Sequence, residues 1–585
     1  MHKRLFLIVF GLLQCIMGKV SAQSGSTEDR RFDEYKGTFI ESLWVLYPTW
    51  ASSIGYHKYD GVLIVPDAAS RTKELKFCTA TLDSLKKFHL NDLSDANKTD
   101  YYLIENQLRS TEWGIRELRS YEWDPSGYNV SGVFADMLSN EYDALDTRLR
   151  NFNERLAAVP AYYEAAKNNI VNPTKEHTEL AIAQNLGGLS VFETDLEDAL
   201  KKATLTDAEK KQIRNRATAA VVAIKAYAEW LKKLEHKTPR SFRLGKELYA
   251  KKFAYDMQAG YTAEEIYRKA LAHKKELHEK MYETTTKLWS KYYRTPMPAD
   301  TFGAIRQMIN RLSEEHVAPD SFQAAIEHQI PVLVDFIKRK DLIYIDPSKP
   351  LVVRREPAYM AGVAGASITS PGPYDKNGNT YYNVGSLEGW DKDKAESYLR
   401  EYNKYILQIL NIHEAIPGHY TQLVYANQSP SLVKAVLGNN AMIEGWAVYT
   451  ELMMLENGYG ARALAPTPDA PLEMWLMYYK WNMRSTCNTI LDYSVHAGNM
   501  TREEAMKLLV DEAFQQQAEA EGKWKRVTLT QVQLCCYFTG FTEICDLREQ
   551  VKNKAGKNFK LKQFHEQFLG YGSAPVKYIR KMMLR

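Results

Sequence analysis

Cysteine is scarce in this chain. There are six in 585 residues; Cys15 lies near the start, and the others are Cys78, Cys487, Cys535, Cys536 and Cys545. Such a sparse set excludes a disulfide framework, and with no C-x-x-C pair to offer thiolates, any metal is expected on nitrogen and oxygen. An excess of one charge is lacking as well: 76 Lys and Arg stand against 72 Asp and Glu, and Lys3, Arg4 and Lys19 account for most of the formal +4. That balance gives no electrostatic case for nucleic acid or an anionic membrane as partner. After the first residues no apolar run approaches the length of about 18 that a membrane span needs, so no later transmembrane segment is expected. Internal repeats and low-complexity segments are also missing.

What is present is an ordinary globular composition, 45% hydrophobic and 25% charged with a mean hydropathy of −0.43. Disordered and fibrous classes are thereby excluded, and the length allows three or four units of about 100–200 residues. The opening MHKRLFLIVFGLLQCIMGKVSA has a basic start, a short apolar core and a small-x-small ending at Val20-Ser21-Ala22. This pattern predicts a secretory signal over 1–22 and an exported protein, periplasmic or extracellular. A lipoprotein anchor at Cys15 fits less well, because Gln14 precedes it.

From 23 to about 340 the pattern is helical. Segments such as DALDTRLRNFNERLAAVPAYYEAAKNNI and TAEEIYRKALAHKKELHEKMYETTTKLW place apolar residues three and four apart. Thr262 followed by Glu265 forms a capping box that opens the second of these. Residues 342–387 alternate β-branched and aromatic runs with Pro, Gly and Asn-Gly, which predicts a small sheet. Helices resume from about 393, broken by a loop at 464–471. The expected fold is mainly α (α+β): an N-terminal helical region over 23–340 and a region over 341–585 carrying the sheet and the chemistry, together forming a large two-lobed helical unit.

The chemistry concentrates in NIHEAIPGHYTQ, residues 411–422. A zinc-binding H-E-x-x-H pair shares a helix face because positions four apart differ by about 40°, whereas His413 and His419 are six apart and would differ by about 240°. Pro417 interferes with the carbonyl of His413 four residues back, and Gly418 adopts backbone angles closed to other residues. If these two residues are looped out, His419 takes the place that i+4 would have. Two imidazoles and a carboxylate then leave one zinc position for water, with Glu414 beside the first ligand as general base. The apolar stretch NNAMIEGWAVYTELMML supplies the carboxylate: Glu444 lies 25 residues past His419, with Glu451 two turns further on the same face as a support for a ligand imidazole. The competing reading makes the histidines structural and pairs Glu444 or Glu451 with an arginine in the core.

The phrases HEAIPGHYTQ, EGWAVYTE, LDYSVHAGNMTREEA and LREQVKNKAGKNFKLKQFHEQFLGYGSAP resemble the DUF885 family, which is assigned to the zincin (gluzincin-like) metallopeptidase superfamily. The similarity runs from about residue 35 to the C-terminus, with Tyr493-Ser494 departing from the family's usual Thr-Gly. The resemblance implies one Zn2+ ion on His413, His419 and Glu444, and a zincin-like fold with the sheet beside the active-site helix. It further implies that YYNVGSL (381–387) is a sheet edge where Tyr382 and Asn383 bind an extended peptide by strand addition. Placing LDYSVHAG and CYFTG near the metal, it makes His496 and Tyr537 candidate transition-state donors beside Glu414. Arg548, three turns past Tyr537, becomes a candidate anchor for a substrate carboxylate. The expected activity is hydrolysis of peptide bonds. The alternatives are hydrolysis of non-peptide amides or amino-acid conjugates, or an inactive zincin-like binding protein, which would normally have lost Glu414 or a ligand.

Overall fold

The computed structural model describes residues 26–234, 240–349, 351–356, 366–375, 379–460 and 471–585. The expected leader with Cys15, and 464–470 of the expected loop, lie outside these residues. Helices dominate, and local sequence explains their ends. Thr262 and Glu265 exchange bonds as a capping box, with the Thr262 N–H donating to the Glu265 carboxylate at 2.7 Å, and the helix Ala263–Tyr292 follows. The segment after Asp143 is two helices rather than one, Leu145–Leu156 and Val159–Asn169. Pro160 falls in the first turn of the second helix, where a missing N–H costs nothing.

The buried apolar residues form three clusters. One gathers α1 (Thr27–Leu46) and α2 (Asp95–Trp113) and takes in Val433 and Leu437 from far along the chain. This junction is also ionic: the buried Asp100 carboxylate of α2 accepts from Lys36 at 2.9 Å, Lys434 at 2.7 Å and Ser431 at 2.8 Å. A second cluster lies between Tyr128 and Leu231, with α3 (Asp207–Lys233) along it. The third and largest runs from Tyr249 to Met583. It includes α4 (Ala263–Tyr292), α5 (Phe322–Lys340), the sheet and every helix that carries the site. Among the described residues no helix is long and apolar enough to cross a membrane.

The small sheet has the order β1–β3–β2, with β1 Leu351–Arg355, β2 Ala366–Thr369 and β3 Thr380–Val384. β3 pairs parallel with β1, Leu351 opposite Thr380, and antiparallel with β2, Thr369 opposite Tyr381. This corrects the expected edge at 381–387: over Thr380–Val384 the strand is central, its backbone groups are already used on both sides, and no substrate strand can add there. Tyr382 and Asn383 are fully buried, so neither is a substrate-binding residue. Asn383 ties the three strands together, accepting from Arg354 and donating to Thr369 Oγ1 at 2.8 Å. The Tyr382 hydroxyl donates to Asn411 Oδ1 at 2.8 Å, which fixes the sheet against the helix that bears the first histidine.

Candidate metal centre

The helix α6 (Ile406–Glu414) carries His413 and Glu414 and is buried along almost its whole length. Asn411 anchors it from two sides, accepting from Tyr382 and donating to Gln329 of α5 at 2.6 Å. The chain then breaks, and α7 (His419–Asn427) starts afresh. The expected bulge within one helix is therefore a break between two. Gly418 N–H turns back to Ile412 O at 2.9 Å, and a Cβ at Gly418 would lie 1.8 Å from His413 O, so only glycine fits. Trp446 donates from its buried indole to Pro417 O at 2.8 Å and holds the break in place. The two imidazoles consequently meet edge to face, with centroids 4.8 Å apart and planes at 89°.

The third partner comes from α8 (Asn440–Glu456), an almost wholly buried helix whose first turn is capped by the Asn439 side chain. It crosses α11 (Cys536–Ala555) at backbone contact: a Cβ on Gly540 would lie 1.7 Å from Ala441 O, and one on Gly445 would lie 2.3 Å from Gly540 C. This crossing sets the depth of Glu444. Its Oε2 lies 3.3 Å from His419 Nε2 and 3.7 Å from His413 Nε2, and one donor atom from each of the three residues falls within 4.8 Å of the others. Glu451, two turns on and fully buried, sits behind His413: its Oε1 is 2.7 Å from Nδ1 and accepts from Trp481 Nε1 at 3.0 Å. His413 thus has a carboxylate on each ring nitrogen. Burial works against its charge, but the carboxylates of Glu444 and Glu451 push its pKa up to about 10. Burial also opposes the charge on Glu444, yet the two imidazoles hold its carboxyl well below the usual range.

Whether these residues suit a metal can be judged from Glu444 itself. Its Oε2 is buried without a hydrogen-bond partner although two imidazole nitrogens point at it, which is a cost unless a cation lies between them. Two imidazoles and one carboxylate are the donor set that borderline Zn2+ takes in open catalytic sites. Glu414, at the end of α6, makes no hydrogen bond or ion pair with the described residues, and burial raises its pKa while His413 and His419 oppose the rise. Tyr537, in the first turn of α11, has its hydroxyl pKa raised by burial and by the neighbouring Glu444, and its oxygen accepts from Arg526 at 3.3 Å.

Two expected site residues are elsewhere. His496, at the end of α9 (Leu472–His496), is buried with Nε2 2.8 Å from Val527 O and 3.0 Å from Thr530 O. Its N–H is spent on these carbonyls at the end of α10 (Gln517–Leu529), so it has no donor to offer a substrate. Arg548 grips Glu456 with both arms, at 2.6 and 3.3 Å, and lies over the Tyr449 ring. Its fork is already occupied, so it is not free to anchor a carboxylate. Sequence reading missed Trp481 and Arg484 of α9. The signal for Arg484 was a second cation, after Lys480, inside a long helix that is largely apolar and buried; Trp481 carried none.

Comparison with known proteins gives relatives without an assigned activity. The profile of a family described as "Bacterial protein of unknown function (DUF885)" matches residues 48–583. A solved structure of a "putative lipoprotein of unknown function" from Shewanella oneidensis is 53% identical, with a TM-score of 0.86 over 95% of this chain and 100% of that one. A "putative lipoprotein" from Colwellia psychrerythraea, 16% identical, has the same fold at a TM-score of 0.77, covering 95% of this chain and 98% of its own. No curated protein matches.

Proposed function

Since the chain belongs to the DUF885 family, whose description names no activity, we propose from the site itself that it is an exported zinc-dependent hydrolase of peptide bonds, of the zincin kind. The observation that carries this is the meeting of His413, His419 and Glu444 with a Glu414 that is unpaired among the described residues. Export is supported by the Shewanella relative's description as a lipoprotein and by the sequence's opening residues. A bound zinc would supply an activated water and polarise a substrate carbonyl.

The chain's own residues supply the rest. Glu414 takes a proton at its free carboxylate and returns it to the leaving amine nitrogen. Glu451 fixes the tautomer of His413 by accepting a hydrogen bond from its Nδ1–H, so that the Nε2 lone pair faces inward. The Tyr537 hydroxyl, with its lone pair engaged by Arg526, keeps its proton for the oxygen that gains charge. Purified protein should contain one zinc per chain by elemental analysis and cleave members of a peptide library. His413→Ala, His419→Ala and Glu444→Ala should each lose most of the metal. Full zinc in Glu444→Ala, or no cleavage of any peptide by zinc-loaded protein, would remove this reading.

A further inference from the structure

Next to the centre, α9 and α10 present cations that the mechanism above leaves unused. Arg484 lies one turn beyond Trp481, its guanidinium carbon 4.8 Å from that ring's centroid, and Trp481 holds the Glu451 that holds His413. Arg484 Nε donates to Glu519 of α10, but neither terminal nitrogen bonds any described residue, and 28% of the side chain is exposed. Lys523, one turn beyond Glu519, is 5% exposed, and its Nζ has no hydrogen-bond partner; the Glu519 carboxylate is 3.8 Å away. One turn further, exposed Arg526 reaches Gln533 at 2.7 Å and the Tyr537 hydroxyl beside Glu444. These three cations lie together around the Glu519 carboxylate, and Arg484 and Arg526 reach toward the centre through Trp481 and Tyr537. The nearby Lys480 pairs with Glu401 at 2.7 Å, a carboxylate whose charge also acts on Arg484.

Burial pulls the Lys523 pKa down to about 7, so an anion at its unpartnered Nζ would hold its charge, while Arg484, kept charged against its burial by the Glu519 carboxylate, still has both terminal nitrogens of its fork to give. Arg484's charge also reaches Glu414, the group that protonates the leaving amine. We propose that Arg484, backed by Lys523 and Arg526, is a carboxylate-binding subsite on the leaving-group side of the centre, so that the enzyme selects peptides whose released amine component bears a carboxylate. This rests on the hydrolase reading and names its substrate class. The carboxylate can be the C-terminal α-carboxylate or an Asp or Glu side chain, and the guanidinium fork recognises either bidentately.

The test uses three probes: N-benzoyl-Gly-Phe, its C-terminal amide, and N-benzoyl-Gly-Asp amide, which carries only a side-chain carboxylate. With zinc-loaded wild type the preferred carboxylate substrate should show a KM roughly 10- to 100-fold below the uncharged amide. Arg484→Gln should abolish that difference with kcat nearly kept, the signature of a ground-state anchor. Arg484→Lys keeps the charge and the Glu519 pair but not the fork, and should lose only part of it. Independently of turnover, calorimetry on zinc-free protein should show N-acetylphenylalanine binding that Arg484→Gln removes and N-acetylphenylalaninamide never has. If neither the probes nor any member of the peptide library is cleaved but this binding difference holds, the hydrolase reading fails and the subsite stands. Equal KM and equal binding for acid and amide in wild type, or a preference that survives both variants, would overturn the subsite.

Discussion

Replacing Glu451 separates the two tasks its position implies. Its Oε1 accepts from both His413 Nδ1 and Trp481 Nε1 inside a fully buried pocket. Glu451→Ala leaves two buried donors without an acceptor, at about 1–3 kcal/mol each, so a loss of about 2–6 kcal/mol of stability is expected. Glu451→Gln keeps an acceptor in the same place, removes the charge and puts an amide NH2 where the unpartnered Oε2 sits. It should therefore fold, while His413 becomes a poorer ligand. Loss of such a supporting carboxylate typically weakens metal binding 10- to 100-fold, or about 1.4–2.7 kcal/mol. The assay is competition for zinc with a chromophoric chelator of known affinity, with thermal unfolding at fixed free zinc as a second readout, because a ligand bound only by the folded state raises Tm by mass action. Zinc affinity in Glu451→Gln equal to wild type would show that His413 does not use the carboxylate behind it.

Glu414→Gln should retain zinc and Tm but lose hydrolysis by at least about 10²–10⁴-fold, measured as kcat on any peptide the native enzyme cleaves, and near-normal turnover would exclude Glu414 as the base. Gly540→Ala drives a Cβ to 1.7 Å from Ala441 O, which only separation of α8 and α11 by about 1.5 Å can relieve. Both Tm and zinc affinity should fall, whereas Gly522→Ala, with nothing within 4 Å of its Cβ, should leave both at or above wild type. His565 is fully buried between Tyr449 and Leu342 O, and burial brings its pKa down to about 4. The unfolded chain takes up its proton near pH 6.5 and the folded one only near 4, so stability is lost as pH falls through that window, by about 3 kcal/mol from this residue. His565→Gln should flatten the fall of Tm between pH 6.5 and 4, and an unchanged slope would refute this.

Sequence alone determined the helical class, because a 3.6-residue period and capping boxes act within a few residues of chain. The pair His413 and His419 was legible for the same local reason: Pro417 and Gly418 forbid an undisturbed helix, and a two-histidine face follows from breaking it. Glu444 was legible only as one of two carboxylates on an apolar helix, since periodicity says which residues share a face but not which neighbour they meet. The α8–α11 crossing, at the distance two glycines allow, put Glu444 on the inner nitrogens and Glu451 behind His413. Strand order was decided in the same non-local way, since hydrogen bonds from β1 and β2 made β3 central although its residues read equally well as an edge. Which cations stay free was decided by tertiary structure too. Arg548 and Arg484 are both arginines on helices, but Glu456 takes both arms of the first, and Glu519 takes only Nε of the second. An ion pair between distant segments is fixed by the packing of their helices, and that depends on the whole core rather than on the residues beside the charge.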